Sequence, residues 1–254
     1  ATSPGDCFHT AYEACRIAAK YRTPVLVLAD GYLGNGSEAW RIPDTDTLPA
    51  FDVDFETEAT ERTMHKDQDG NDQFLPYVRD PETLARAWAR PGTPDLEHRL
   101  GGLEKAHKTG NVSYDAENHQ KMVEIRAQKV QNVTQDIPPT QVYGHSDGDL
   151  LVLGWGSTKG AIEEATERAV DRGRRVGSVV LRHVWPLPAD LADVLGRFDH
   201  VLVPELNNGQ LIRVLRDQYP SWDFTPLNKI QGRPFRAEEI VEEIGSLLGR
   251  PAPA

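Results

Sequence analysis

Residues 149–208 constrain the fold more than any other part of this chain. An apolar run at 150–153 is followed by a glycine-rich turn at 154–160, a helical pattern of apolar residues, and a second apolar run at 176–181. This order of strand, turn, amphipathic helix and strand predicts a βαβ unit. The runs are continuously apolar rather than alternating, so helices should cover both faces of the sheet. The segment therefore predicts an α/β fold with a doubly wound parallel sheet.

The composition excludes several classes of protein. The 254 residues carry a formal charge of -11, which argues against a general binder of nucleic acid or anionic membranes. No apolar run approaches the roughly 20 residues that a membrane helix needs. Two cysteines exclude a disulfide framework and are too few for an iron–sulfur cluster, which usually takes about four. We expect buried free thiols and a cytoplasmic protein.

The amino-terminal segment predicts a helix that lacks its sheet. Ser3 or Asp6 would cap a helix that ends before Pro24, and the apolar residues 25–28 then predict a buried strand. One helix and one strand cannot bury a sheet. The missing strands come either from later in this chain or from a polypeptide outside it. We expect the second, and interpret the chain as the carboxy-terminal piece of a longer one.

A loop of turn-forming residues follows this predicted strand, at residues 29–37. Ligands of open α/β sheets bind at the carboxyl ends of parallel strands. Asp30, Gly31 and Asn35 are therefore candidate ligand-contacting residues. The alternative is a flexible connection without a binding role.

The middle of the chain is less regular. Alternating aromatic and apolar residues predict a short edge strand at 51–55, and the segment 81–89 predicts a short helix. A longer helix is predicted at 115–130, with a linker at 136–139. The last part continues through the βαβ unit to a further strand at 224–230 and a helix at 237–248.

The glycine turn at 154–160 matches no complete nucleotide-binding motif. It lacks the Gly-Lys-Ser/Thr ending of a P-loop, and its third glycine falls one position late for G-x-G-x-x-G. Close packing alone can require these glycines. None of the eight histidines pairs at i,i+4 as in a helical zinc site. For residues 205–210, which follow a strand, helix capping and subunit contact both remain open.

The glycine-rich loop at 96–111 concentrates positive charge in an acidic chain. Long loops inside compact domains are often functional. We expect this loop to lie near the site of an anionic substrate without carrying the catalytic step. A solvated surface loop is the alternative. The candidate substrate-proximal residues are His98, Arg99, Lys105, His107 and Lys108.

Ordered blocks of sequence extend across nearly the whole chain, at 3–8, 23–25, 30–33, 37–43, 91–99, 101–105, 109–114, 117–119 with the helix to 129–130, 153–157 and 204–210. These blocks resemble the alpha subunits of 2-oxoacid:ferredoxin oxidoreductases. The form Gly101-Gly102-Leu103-Glu104-Lys105 with Thr109-Gly110-Asn111 most resembles the 2-oxoglutarate enzymes.

The resemblance implies a function that the residues alone do not show. Enzymes of this family use thiamine diphosphate to decarboxylate a 2-oxoacid, pass electrons through iron–sulfur clusters to ferredoxin, and make acyl-CoA. It implies Mg²⁺ and [4Fe-4S] in the assembled complex, bound mostly by the beta subunit and the upstream part of the alpha subunit. The partners would be these two polypeptides, ferredoxin, CoA and the 2-oxoacid, with neither nucleic acid nor membrane.

The resemblance also divides the chain. Residues 1–48 resemble the end of a pyrimidine-binding-type domain, 49–140 a connecting region with long loops and one helix, and 141–254 a transketolase C-terminal-like parallel α/β domain. The family's Tyr-Pro-x-Thr-Pro segment, catalytic glutamate and substrate-binding arginine are not in this sequence. We therefore expect no catalytic, cofactor-binding or metal-binding residue here, and no activity from this piece alone.

Three alternatives remain at this point. The chain could be the same part of a pyruvate or broad 2-oxoacid enzyme, a non-catalytic structural and subunit-docking module, or a nucleotide-binding regulatory domain supported only by the glycine turn.

Overall fold

The computed structural model describes residues 1–66 and 69–249. Residues 250–254, the end of the predicted last domain, lie outside the described residues. The predicted domain boundaries at 48/49 and 140/141 stay predictions. The α-helices run in the order α1 (Asp6–Tyr21), α2 (Gly31–Asn35), α3 (Ala116–Asn132), α4 (Lys159–Asp171), α5 (Leu191–Leu195), α6 (Leu211–Gln218) and α7 (Ala237–Leu247).

The strands are short in the first half of the chain and longer in the second. Short 3₁₀ helices lie at Thr45–Thr47, Val133–Asp136 and Gly156–Thr158. The strands are β1 (Met64–Lys66), β2 (Asp72–Phe74), β3 (Tyr143–Gly144), β4 (Gly148–Trp155), β5 (Val176–Leu181), β6 (Phe198–Glu205) and β7 (Phe224–Asn228).

One compact unit comprises Ala1–Ala11, Val27–Ile42 and the chain from Asp136 onward. Its sheet has the strand order β3-β5-β4-β6-β7 within residues 69–249. The β4–β5, β4–β6 and β6–β7 pairs are all parallel, which confirms the predicted fold class. Strand β3 is antiparallel to β5 and departs from the prediction. Only residues 145–147 separate β3 from β4, whereas a parallel neighbour would need a crossover of about a dozen residues.

The apolar runs are continuous because both faces of the sheet are buried. Along β4, Leu151 and Leu153 enter the core on the α5 and α6 side, with Leu191 and Leu215. Leu150 and Val152 enter the opposite core, with residues of α4 and α7. These four residues of β4 are 0% exposed. Burying one such side chain contributes roughly 1.5–3 kcal/mol, so the four residues of β4 together contribute strongly to the stability of this unit.

The predicted strand at 25–28 is wrong, because this segment forms no strand in the described chain. It is also not buried: Leu26 is 87% exposed and Leu28 53%. A strand needs a neighbouring ladder to satisfy its backbone groups and cover its side chains, and an isolated extended segment lacks both.

The other compact unit comprises Tyr12–Leu26 and Pro43–Gln135. It contains α3, whose first turn is capped by Asp115 through a 2.7 Å hydrogen bond from the Asn118 N–H. The helix predicted at 115–130 is therefore confirmed. Strands β1 and β2 form a short antiparallel pair that the sequence did not predict.

Two short elements predicted in this unit are wrong. Residues 51–55 form no strand, and residues 81–89 form a turn and extended chain rather than a helix. The Asp80 carboxylate accepts hydrogen bonds from the N–H groups of Glu82 and Thr83, at 3.0 and 2.8 Å. Such a side-chain bond to the backbone competes with a helical turn.

The buried thiols that we expected are not found. Cys7 is half-buried and Cys15 is exposed, both as free thiols. The buried residues of α1 are instead Ile17 and Tyr21. Within the described ranges, no helix has the length and apolar character required to cross a membrane.

Candidate functional site

The carboxyl ends of the parallel strands form one edge of the sheet. Strands β4, β6 and β7 end there at Trp155, Glu205 and Asn228. This is the edge at which open α/β sheets bind ligands. The first turn after β4 and the loops after β6 and β7 therefore define the region where a ligand is expected.

A cleft of about 540 Å³ lies at this edge, inside the first compact unit. One wall is the segment that contains Asp30, Gly31 and Asn35, the three residues predicted from the sequence. The other wall includes Lys229 and Arg233 from the loop after β7. The structure thus brings the predicted loop to a cavity, and ligand contact by its three residues stays a prediction.

Asp30 and Asn35 use their side chains to hold the wall in shape. Asp30 Oδ1 accepts a hydrogen bond from the Leu33 N–H at 3.1 Å and caps α2, while Oδ2 accepts a hydrogen bond from the Ser157 hydroxyl. Asn35 Nδ2 donates to the Gly31 carbonyl at 2.7 Å. Asp30 therefore ties α2 to the glycine turn after β4.

The facing wall holds one neutralised cation and one that is unpaired. Lys229 Nζ lies 2.7 and 2.9 Å from the carboxylate oxygens of Glu239 and 2.9 Å from the Pro234 carbonyl. Arg233 is exposed and makes no hydrogen bond or ion pair with the other described residues. Tyr32, on the first wall, is 61% exposed. The cleft is therefore lined by an exposed guanidinium, Arg233, and an exposed aromatic ring, Tyr32.

Glu205 ends β6 and caps the following helix. Its carboxylate is 0% exposed. The Leu211 and Ile212 N–H groups donate to its two oxygens at 2.7 and 3.1 Å. Asn207 Oδ1 accepts from the Gln210 N–H at 2.9 Å. Of the two interpretations of residues 205–210, helix capping is therefore what these side chains do, and contact with another subunit stays a prediction.

The candidate cations of the 96–111 loop do not form one exposed patch. Lys105 is 3% exposed, and its Nζ donates to the carbonyls of Gly101 and Leu103 at 3.1 and 2.7 Å. His98 Nδ1 lies 2.9 Å from the Leu96 carbonyl oxygen. Both side chains therefore stabilise the loop itself, whereas Arg99 and Lys108 are exposed.

His107 occupies an unusual position in the same loop. Its backbone N–H donates a hydrogen bond to Asn118 Oδ1 at 2.8 Å. Its ring Nδ1 is buried without a hydrogen-bond partner among the described residues. Burial lowers the pKa of His107, and the positive charges of Lys121, Arg79 and Lys108 lower it further. The lowered pKa favours the neutral form of the His107 ring.

Positive charge instead gathers around Tyr77 and Trp88, in the unit that contains α3. The Cζ atoms of Arg86 and Arg79 lie 5.2 and 5.5 Å from the centre of the Tyr77 ring. Arg22 Cζ lies 5.2 Å from the centre of the Trp88 ring. We name Arg22, Arg79, Arg86 and Lys129 the Tyr77 cation cluster.

Backbone contacts connect the members of this cluster. Arg22 donates to the carbonyl of Arg86, and Lys129 Nζ lies 3.4 Å from the carbonyl oxygen of Arg22. Among the described residues, none of the four cations forms an ion pair with an acidic side chain. Asp54 and Glu56 act on the charge of Arg22 from a longer distance. Sequence reasoning missed the cluster because Arg22 and Lys129 are 107 residues apart.

The pKa values in the cluster reflect burial among like charges. Burial, followed by the charges of Arg79, Arg86 and Arg22, lowers the pKa of Lys129 to about 8. Burial is also the largest cause of the lowered pKa values of Arg22 and Arg79. Lys129 is therefore mostly protonated at pH 7, at a cost in free energy.

Family models match two long parts of the chain. The model described as "Pyruvate flavodoxin/ferredoxin oxidoreductase, thiamine diP-bdg" matches residues 1–118. The model described as "Pyruvate:ferredoxin oxidoreductase core domain II" matches residues 148–240. A Mycobacterium tuberculosis relative, 2-oxoglutarate oxidoreductase subunit KorA, is 46% identical over 98% of this chain. Over nearly its whole length, the chain is similar to alpha subunits of the 2-oxoacid:ferredoxin oxidoreductases. The resemblance inferred from the sequence is thus confirmed.

Other members of the family match over nearly the same range. The 2-oxoglutarate synthase subunit KorA of Methanothermobacter marburgensis is 26% identical over 96% of this chain. The chain spans 36% of the length of the mycobacterial relative and 61% of the methanogen one. It also matches a structure of 2-oxoglutarate:ferredoxin oxidoreductase from Magnetococcus marinus, with 2-oxoglutarate, coenzyme A and succinyl-CoA bound. That match has a TM-score of 0.84 and 28% identity, and covers 98% of this chain and 41% of the other.

Proposed function

We propose that this chain is part of the alpha subunit of a thiamine-diphosphate-dependent 2-oxoglutarate:ferredoxin oxidoreductase. The complete enzyme would oxidatively decarboxylate 2-oxoglutarate to succinyl-CoA and reduce ferredoxin in the cytoplasm. The observation that carries this proposal is the match, over nearly the whole chain, to a relative named for 2-oxoglutarate. The enzyme from M. marinus, which binds 2-oxoglutarate and CoA, supports the same substrate.

We assign the cofactors to the assembled complex and not to residues of this chain. Thiamine diphosphate would supply the electron sink for decarboxylation. Within residues 1–66 and 69–249, no three His, Cys, Asp or Glu side chains lie together as metal ligands would. Two cysteines also cannot supply the roughly four thiolates of a [4Fe-4S] cluster. These residues do not fit Mg²⁺ or a cluster, and we propose the beta subunit and the upstream part of the alpha subunit as their binders.

The experiment described below also distinguishes two other functions. The matching family models carry the name of pyruvate enzymes, which favours a pyruvate or broad 2-oxoacid oxidoreductase as the second candidate. A non-catalytic docking module would give no turnover when its complex is rebuilt.

The test uses the full-length alpha subunit assembled with its beta subunit, CoA and ferredoxin or a viologen dye. We expect kcat/KM for 2-oxoglutarate to exceed that for pyruvate by about tenfold or more, since each factor of ten needs about 1.4 kcal/mol of discrimination. Equal values would favour a broad enzyme, and no reduction with either acid would contradict the proposal. Residues 1–254 with the beta subunit should show no turnover, because cofactor and substrate must be aligned for reaction.

The loop at 96–111 gives a second test. We propose that it lies near the 2-oxoacid in the assembled enzyme, where Arg99 and Lys108 would attract the second carboxylate of 2-oxoglutarate. Arg99→Gln and Lys108→Gln should each raise KM for 2-oxoglutarate about threefold to fivefold, as expected for an exposed charge pair worth under about 1 kcal/mol. KM for pyruvate should change less, because pyruvate lacks that carboxylate.

The matched control for this test is Arg172→Gln, which removes an exposed cation just after α4. It should leave both KM values unchanged. Lys105 and His98 are less informative substitutions, because their side chains hold the loop together. Equal changes for the two acids would count against the substrate-proximal loop while leaving the enzyme assignment intact.

A further inference from the structure

We propose that the Tyr77 cation cluster is a binding site for a phosphoryl group. All members of the cluster lie in one compact unit, which comprises Tyr12–Leu26 and Pro43–Gln135. It consists of Arg22, Arg79, Arg86 and Lys129, all of them half-buried. Nothing in the proposed reaction assigns a role to these four residues.

The first argument is charge. A buried charge without a partner costs several kcal/mol, so proteins normally pair buried ions. Here four cations gather without an acidic side chain in ion-pair distance among the described residues, although the chain as a whole carries a formal charge of -11. The charges of Asp54 and Glu56 raise the pKa of Arg22, but neither carboxylate lies within ion-pair distance of it. The cluster therefore lacks an anion that would offset its charge.

The second argument is the unused donors. The Arg86 guanidinium donates no hydrogen bond to the described residues, and the Tyr77 ring at 5.2 Å holds it in place. Arg79 donates to the Tyr77 carbonyl at 3.1 Å and approaches Met122 Sδ at 3.8 Å, which leaves further N–H groups free. A planar guanidinium with free N–H groups matches two oxygens of a tetrahedral phosphoryl group.

The third argument is Lys129. Its ammonium has three donors and makes one long contact, 3.4 Å to the Arg22 carbonyl oxygen. Its pKa is lowered to about 8, first by burial and then by Arg79, Arg86 and Arg22. A bound dianion would reverse the electrostatic part of this shift. Lys129 is thus placed to gain most from an anion.

The experiment measures sulfate binding to the full-length natural protein with its subunits, by calorimetry at pH 7 and low ionic strength. Sulfate has the tetrahedral shape of phosphate and stays doubly charged at every pH used. Arg86→Gln and Lys129→Gln should each weaken binding about tenfold, the effect of losing a charge-assisted hydrogen bond. Lys121→Gln, an exposed cation on the same helix as Lys129, is the matched control and should change affinity less than twofold.

Two further readouts separate binding from general salt effects and from misfolding. Sulfate should raise the Tm more than chloride does at equal ionic strength, and this excess should disappear in Arg86→Gln. If Arg86→Gln fails to fold, Arg86→Lys keeps the charge but loses the fork, and should still bind sulfate more weakly. Competition then identifies the source: displacement by inorganic phosphate alone indicates free phosphate, and tighter displacement by ADP indicates a nucleotide.

The pH profile tests Lys129 directly. Binding should raise the pKa of Lys129, so affinity should be highest near pH 7 and fall as the pH rises above about 8. The guanidinium groups of Arg22, Arg79 and Arg86 stay charged over this range. Lys129→Gln should flatten the profile and Lys121→Gln should not. Equal effects of chloride and sulfate, or no sulfate binding because a carboxylate of another chain segment occupies the cluster, would overturn the proposal.

Discussion

Replacing Glu205 by alanine is expected to lower the free energy of unfolding by about 3 kcal/mol, because hydrogen bonds to a charged group contribute roughly 1.5–3 kcal/mol each. The carboxylate is 0% exposed and accepts from the Leu211 and Ile212 N–H groups at 2.7 and 3.1 Å. These are orphan donors at the start of α6, where the helix dipole also favours a negative charge. In Glu205→Ala both N–H groups would be left buried without an acceptor.

Two variants separate this capping role from a general effect of charge. Glu205→Gln keeps the shape and one acceptor oxygen, so it should cost about half as much as Glu205→Ala. Glu242→Ala removes an exposed carboxylate on α7 and should change stability by less than about 0.5 kcal/mol. Urea unfolding followed by circular dichroism measures all three. A cost for Glu205→Ala as small as that of Glu242→Ala would show that the cap is dispensable.

The parallel sheet was predictable because its signal is local. Each residue of the run 150–153 is fully buried, and a strand buried on both faces is apolar at every position. The helix from Ala116 to Asn132 was predictable for a similar reason, since Asp115 marks its start within one turn.

The elements that the sequence did not predict depend on distant residues or lack an apolar pattern. Strands β1 and β2 read Met-His-Lys and Asp-Gln-Phe, without the alternation that indicates a half-buried strand. Residues 25–28 form a continuous apolar run. A strand also needs a neighbouring strand, and the sequence of the run itself cannot specify one.

The candidate site was predictable in part. Asp30 and Asn35 were predicted at a sheet edge because they follow the apolar run 25–28. Both residues line the cleft, although that run does not form the strand on which the prediction rested. The spacing of cations at 98–108 could not show that Lys105 turns inward to the Gly101 and Leu103 carbonyls. The Tyr77 cation cluster left no sequence signal, because only folding brings Arg22 to Lys129.

Replacing Gly177 by alanine is expected to lower the free energy of unfolding by about 2–3 kcal/mol, the upper range for adding volume to a packed core. Gly177 lies in β5, opposite Gly144 of the antiparallel edge strand β3. A methyl group there would overlap the His145 carbonyl oxygen and lie 2.8 Å from Phe198 Cζ. This carbonyl is part of the backbone, and the His145 N–H also donates a 3.0 Å hydrogen bond to the Val176 carbonyl. The His145 carbonyl therefore cannot move aside without disturbing the pairing of β3 and β5.

Two other glycines test this explanation through what surrounds them. In Gly154→Ala the new methyl would meet Ile162 Cδ1 and lie 2.9 Å from Thr158 Oγ1. Both are side-chain atoms rather than backbone, so the loss of stability should be smaller, near 1 kcal/mol. Gly160 lies in the first turn of α4 with nothing within 4 Å of the added atom. Gly160→Ala should therefore stabilise the protein by up to about 0.5 kcal/mol, because alanine favours a helix over glycine. Urea unfolding should rank the variants with Gly177→Ala least stable and Gly160→Ala most stable. If Gly154→Ala proved the least stable, a clash with rigid backbone would not explain which of these substitutions lowers stability most.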